Sequence, residues 1–421
     1  MKLKSPKTLL IAILVIAFFG SLYGHKFRAV SRNYSDFHCF YTTGKRALNH
    51  ENLYIIHDKE TAEFRYAPIY AVFMGGLALL KEGDADTLWF ILNYLLLIGA
   101  FIYLRKIIAP NGMTPKAAFW FYLLTVLSLI RIIFHNFNSG QSNILMLASI
   151  IFGLYHISKK RILLGSLIFA LSIMIKYTPL VFIPYFLFRR KFKTAFFITA
   201  AVAFYLFLPS LIVGFETNSM YLKNLLPFFT QSTILEQDTI LTGKNQSLLS
   251  MVYRSFTDCL VLYPDAPKML LQNLGLTDAY KKLLFMVMAG LLYLAAIYKP
   301  RRKHLHQDNL MYNNIDYSIL LVCVVLFNLN AWAHNFILFA LPYGALIFYL
   351  IKTGFQDKFV LFAWVVSFVV NGFMTRSILG NNLSYTIYFY SPYTIAALLL
   401  FAALLKLKFS KNIIEEAKNE S

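Results

Sequence analysis

Apolar residues fall in blocks of 16 to 22, separated by short polar stretches, from one end of the chain to the other. A helix needs about 20 apolar residues to cross the hydrocarbon core, so this pattern predicts an all-α polytopic transmembrane protein. Spans are expected at 8–24, 88–105, 117–134, 143–158, 194–214, 283–299, 316–333, 335–351, 359–374 and 391–409. With two irregular segments the total is about 10–13 membrane segments. No stretch resembles a separate soluble domain, so residues 1–421 are expected to form a single integral membrane domain.

The two irregular segments carry information of their own. Residues 67–83, APIYAVFMGGLALLKEG, have a short apolar part with a Gly pair. If this segment crossed, Arg105, Lys106 and Lys116 would fall outside, whereas a re-entrant or interfacial course keeps them inside, as the charge rule prefers. Residues 162–188, ILLGSLIFALSIMIKYTPLVFIPYFLF, have basic clusters on both flanks and a Lys-Tyr-Thr-Pro break in the middle. Two short helices that dip in and return satisfy both features, and backbone broken at membrane depth is tolerated only beside a cavity. Lys176 is therefore expected to point into a pocket.

Charge adds an orientation. The formal net charge is +20, much of it in short clusters beside apolar runs: Lys2, Lys4 and Lys7; Lys159 to Arg161; Arg189 to Lys193; Lys299 to Lys303. That is the positive-inside pattern, with attraction to anionic membrane lipids as a secondary effect, and it argues against nucleic acid as a partner. The basic start MKLKSPK and its apolar run resemble a signal peptide. The run is long for one and lacks a small-x-small cleavage site, so it is expected to stay as a first helix with the N-terminus cytoplasmic. Cys39, Cys259 and Cys323 share no metal-ligand spacing and are expected as thiols.

Threading the helices alternately leaves 25–66, 135–142, 215–282 and 375–390 outside, and the polar residues away from the basic clusters concentrate there. In SDFHCFYTTGKRALNHENLY, residues 37–48 have helix-like spacing with Asp36 near the start, and the aromatics are expected to seat this helix at the membrane surface. A carboxylate at a helix N-terminus is held ionised and is suited to general-base work, although a capping or solvated role fits it too. His38 is a possible neighbour to an acceptor.

Arg65 and Tyr66 precede Ala-Pro and suit either interfacial anchoring or ligand binding. The run HNFNSGQSN, with Gln141 and Asn143, suits a turn or the recognition of sugar hydroxyls. Lys176 near mid-depth costs about 2.5–3.5 kcal/mol on insertion scales and calls for a partner. The predicted spans hold almost no carboxylate, so an anionic ligand such as a lipid phosphate is expected. Lys244, Asn245 and Gln246 in GKNQS, then Arg254, and His334 in LNAWAHNF, complete the outer set; Arg376 is ordinary loop charge.

One well-placed carboxylate among several cations suits group transfer from a phosphate-linked donor better than hydrolysis. A glycosidase needs two carboxylates because its leaving alcohol must be protonated, whereas a phosphate leaves as a stabilised anion. No GxGxxG, Walker, HExxH, CxxC-pair or GxSxG pattern occurs in a supporting context.

The ordered landmarks SDFHCFYTTGKRALNHENLY, FRYAPIYAVF, SGQSN, IKYTPLVFIPYFLFRRKFK, NQSL with Arg254, and AWAHNF resemble the polytopic GT-C glycosyltransferases. Within them they resemble family 87, which includes polyprenyl-phosphate-mannose-dependent alpha-mannosyltransferases. The likeness covers most of the chain; Ala67 stands where a first Pro is usual.

The resemblance implies an inverting transfer of a hexose, with mannose the first candidate, from a polyprenyl-phosphate donor to a glycan or glycolipid hydroxyl. It carries the base role to Asp36 and donor-phosphate binding to Lys176, His334 and Arg254. It implies a site formed by extracytoplasmic loops at a bacterial cytoplasmic (inner) membrane. Arg65, Tyr66, Gln141, Asn143, Asn245 and Gln246 are expected around the substrate, with no metal and no cofactor. A transporter or flippase of lipid-linked saccharides is the alternative, but it would show broken helices in matching halves, and only one broken region is present.

Overall fold

The computed structural model describes residues 35–54, 63–230, 237–263, 266–269, 271–298 and 310–410. The predicted span 8–24, the N-terminal lysines and the basic group from Lys299 to Lys303 lie outside the described residues. In chain order the main helices are α1 (Asp36–Leu48), α2 (Pro68–Ala78), α3 (Glu82–Ile108), α4 (Pro115–Ser139), α5 (Asn143–Ser158), α6 (Ile162–Ile175), α7 (Phe182–Phe188) and α8 (Phe192–Phe207). They continue with α9 (Phe215–Thr230), α10 (Leu248–Phe256), α11 (Asp278–Ile297), α12 (Leu310–Leu326), α13 (Ala340–Lys352), α14 (Lys358–Phe373), α15 (Asn381–Phe389) and α16 (Pro392–Phe409). No strand occurs among the described residues.

Among the described residues, six helical segments are long and apolar enough to cross a membrane: α3, α4, Phe192–Val213, α11, Ala333–Lys352 and α16. Each contains most of a predicted span. The α2 helix has 11 residues and is about 16 Å long at 1.5 Å per residue, too short to cross. The predicted span 316–333 ends early, because α12 stops at Leu326. Its Asn-Leu-Asn continuation competes with the helix, since the Asn328 side chain accepts from the Asn330 N–H at 3.3 Å. The 162–188 break is found where Lys-Tyr-Thr-Pro predicts it. The Lys176 backbone turns extended, with φ −145° and ψ 132°, before a 3-10 turn at Thr178–Val181.

The single-domain expectation meets a chain whose contacts group into two compact units, neither of them contiguous in sequence. One takes in the described residues of 11–103 and 133–233, the other those of 104–132 and 234–421.

The first unit is organised by two close helix pairs. In the α5–α6 hairpin a β-carbon on Gly153 would lie 2.9 Å from the Gly165 carbonyl oxygen, and one on Gly165 would lie 2.7 Å from the Ile157 nitrogen. Glycine on both sides lets the backbones approach as membrane helices do through small residues. In the α1–α2 pair a β-carbon on Gly44 would come within 2.6 Å of the Met74 carbonyl carbon. Phe37, Phe40 and Tyr41 are buried in this unit. That corrects the expectation that the SDFHCFY aromatics seat α1 on a membrane surface: they pack the helix into the protein.

The second unit buries polar ties between helices. Lys408 on α16 pairs with Asp316 on α12 at 3.0 Å, both fully buried, and Lys408 also donates to the Ala296 carbonyl at 2.6 Å. The Asn314 amide donates to the Ile107 carbonyl at 2.5 Å.

Candidate active site

Four of the residues singled out from sequence meet in the first unit. Ser35 caps α1, its hydroxyl accepting from the His38 N–H at 3.2 Å, which places Asp36 in the first turn where helix N–H groups favour a carboxylate. The turn after α4 delivers the partner. Gly140 adopts φ +65°, a left-handed conformation that glycine reaches without strain, and its carbonyl accepts from the Trp89 indole at 3.0 Å. The next residue, Gln141, directs its Nε2 to Asp36 Oδ2 at 2.5 Å.

Lys176 arrives by helix-length matching. The α5 helix has 16 residues and α6 has 14, and they run antiparallel from a tight connection, so the first residue of one lies level with the residue after the other. Lys176 Nζ accordingly donates to Asn143 Oδ1 at 3.0 Å. Asn143 Nδ2 faces Gln141 Oε1 at 3.4 Å and Asn136 Oδ1 at 3.2 Å. A chain of amides thus runs from carboxylate to ammonium: Asp36, Gln141, Asn143, Lys176. Gln141 and Asn143 are buried, whereas Asp36 and Lys176 are partly exposed. The amides form a fixed back wall and the charged ends are accessible. Asp36 is also within electrostatic reach of Lys176, so a loop carboxylate supplies the countercharge that the predicted spans lack.

Tyr66 joins this group. The Ala67 N–H donates to the Met174 carbonyl at 3.0 Å, tying the entry to α2 to the end of α6, and the Tyr66 hydroxyl accepts from Ser142 at 3.3 Å. Its ring stacks on Tyr70 at 4.8 Å and meets the edge of Phe40 at 5.0 Å. Arg65, next to it, donates through Nη2 to Glu63 at 2.6 Å.

The remaining expected site residues belong to the second unit. Asn245 donates to the Thr239 and Leu329 carbonyls at 3.1 and 3.0 Å and accepts from the Ser247 and Ala331 N–H groups at 3.1 and 3.0 Å, which fills its amide. Gln246 donates to the Gly243 and Tyr388 carbonyls at 2.6 and 2.9 Å and accepts from the Tyr393 N–H at 3.2 Å.

Arg254, 0% exposed, donates to the carbonyls of Phe389, Thr242 and Asn245 at 3.1, 2.7 and 2.7 Å and to the Ser391 hydroxyl at 2.6 Å. Burial lowers its pKa to about 10, which leaves it charged at neutral pH. The polar groups of Asn245, Gln246 and Arg254, expected around the substrate, are committed here to holding loops together. His334 lies in a buried 3-10 segment, Ala333–Phe339, its ring stacked on Trp332 at 6.2 Å, with Lys244 over the same indole at 5.7 Å.

Three site contributors escape a sequence reading. Ser142 and Asn136 complete the wall from within HNFNSGQSN, where nothing sets them apart from Gln141 and Asn143. Glu82, at the start of α3, lies 2.7 Å from Nδ1 of His38 and gives that histidine a partner far away in sequence. Among the described residues no group of three or more His, Cys, Asp or Glu side chains gathers as metal ligands do, and the three cysteines are buried thiols.

The fold defines the class: an all-α polytopic integral membrane protein. The particular family follows from the sequence over most of the chain. Residues 64–327 match glycosyltransferase family 87, and the chain belongs to that family, a membrane glycosyltransferase acting between a sugar donor and an acceptor. No curated protein matches the chain, and no solved structure does.

Proposed function

We propose that this glycosyltransferase moves a hexose, mannose first among the candidates, from a polyprenyl-phosphate donor to a hydroxyl of a glycan or glycolipid at the outer face of a bacterial cytoplasmic membrane. The observation that carries the reading is the partly exposed Asp36 carboxylate and Lys176 ammonium fixed in one unit by two buried amides. Asp36 takes the proton of the acceptor hydroxyl as its oxygen attacks the anomeric carbon. The new C–O bond forms on the face opposite the leaving group, so configuration inverts. The anomeric C–O bond to phosphate breaks, its electron pair stays on the polyprenyl phosphate, and Lys176 stabilises that charge. Tyr66 and Gln141 are retained as substrate-positioning groups.

Asp36→Asn keeps a side chain of the same size but lacks a basic oxygen. Purified variant given radiolabelled polyprenyl-phosphate sugar and an acceptor extract is expected to transfer about 10²–10⁴-fold more slowly, with donor binding retained. Transfer at the wild-type rate removes Asp36 as the base. A panel of donors carrying different sugars assigns the hexose.

A further inference from the structure

Arg131 belongs to no part of the site described above, yet it lies inside α4, a helix long and apolar enough to cross a membrane, about 12 Å from the Ser139 end. A guanidinium charge within such a helix calls for an anion, a water-filled route or a reach to the interface. Among the described residues its contacts are all neutral. Nη1 donates to the Asn371 carbonyl at 3.2 Å and to the Tyr393 hydroxyl, and the guanidinium lies 5.8 Å from the centre of the Tyr393 ring. Nε and Nη2 have no hydrogen-bond partner among these residues, and the side chain is only partly buried.

The shelf under Nη1 is rigid. The Tyr393 N–H is held by Gln246 at 3.2 Å, and its ring packs against Phe336 at 5.2 Å. Asn371 belongs to a buried cluster with Tyr343 and Ser367. Asn371 is near the last residue of α14 and Tyr393 near the first of α16, so the guanidinium is held at the level of helix ends. The charge rule assigns those ends to the outside, at the depth of lipid phosphates. A planar fork anchored by one nitrogen, with the other two presented, is suited to an oxyanion in two-point contact. A purely structural tie between helices would need the hydrogen bonds but not the uncompensated charge.

We propose that Arg131 binds a lipid-borne monoester phosphate at the outer end of the second unit. The probe is a short-chain polyprenyl monophosphate, titrated onto the purified full chain in phosphatidylcholine nanodiscs. Arg131→Gln is expected to weaken binding about 10- to 100-fold, and Arg131→Lys to recover part of it. Tyr393→Phe, which loosens the shelf but keeps the charge, should have a smaller effect.

Binding by Arg131→Gln equal to wild type overturns the proposal. So does a loss of binding that tracks a lowered melting temperature and is not relieved by Arg131→Lys, since that is the signature of a helix tie. Phosphatidylglycerol at equal mole fraction should not displace the probe; if it does, the site holds bulk anionic lipid and the proposal falls. If the probe binds through Arg131 but the wild type transfers no sugar from any polyprenyl-phosphate donor, the phosphate site stands and the reaction proposed above does not.

Discussion

Replacing Arg254 by methionine tests whether this arginine holds the protein or a substrate. The guanidinium is fully buried, so its hydrogen bonds are not screened by solvent. Its loss takes the guanidinium from the carbonyls of Phe389 and Asn245 and the Ser391 hydroxyl, while the Thr242 carbonyl keeps the Asn245 N–H at 3.1 Å. An unsatisfied buried polar group costs about 1–3 kcal/mol. With three such groups, the variant should lose about 3 kcal/mol or more.

The contact to Ser391 has added weight. That residue adopts φ +56°, a left-handed conformation unusual for a side-chain-bearing residue, just before α16 begins. The assay is thermal unfolding of purified protein with a donor titration well below the transition. The expected result is a melting temperature lower by about 5 °C or more with a donor KM within about threefold of wild type. Unchanged stability together with a tenfold rise in donor KM would refute the structural assignment and return Arg254 to the donor phosphate.

Lys176→Met should raise the donor KM by about tenfold or more while folding is retained, because a charge-assisted contact is lost and Asn143 keeps its other partner; an unchanged donor titration removes Lys176 from the site. Gly165→Val pushes a β-carbon against the Ile157 nitrogen and the Gly153 carbonyl, backbone atoms that cannot swing away, and should cost about 1–3 kcal/mol; wild-type unfolding would show that the hairpin has slack. Lys408→Met strands a fully buried Asp316 and should destabilise by about 3–5 kcal/mol, with restoration by a second change of Asp316 to Leu, both read by unfolding in detergent.

The helices and the break at Lys176 are legible in the sequence because both rest on local rules, apolar run length and proline chemistry. The Asp36, Gln141, Asn143 and Lys176 constellation is legible in membership but not in wiring. Its members stand out as polar residues near outer loops, yet that Gln141 serves Asp36 follows only from the Gly140 turn and the hairpin register. Arg254, Asn245 and Gln246 show where such reasoning stops. A buried amide that ties loops and an amide that binds a sugar use the same donors and acceptors, and the difference lies in what folds around them. Lys408 and Asp316 were hidden for a related reason: each neutralises the other across a long sequence separation, so neither helix alone signals the pair.

The α5–α6 hairpin also acts as a caliper. Asn143 opens one arm and Lys176 follows the other, so the distance between them is set by the count of residues on each side of the turn, with the facing glycines fixing the separation of the arms. Adding or removing one residue in either arm would slide its end by about 1.5 Å and rotate it by about 100°, taking Asn143 or Lys176 out of the amide chain. Natural variants of this protein should therefore tolerate many apolar exchanges along the two helices but no change in their lengths.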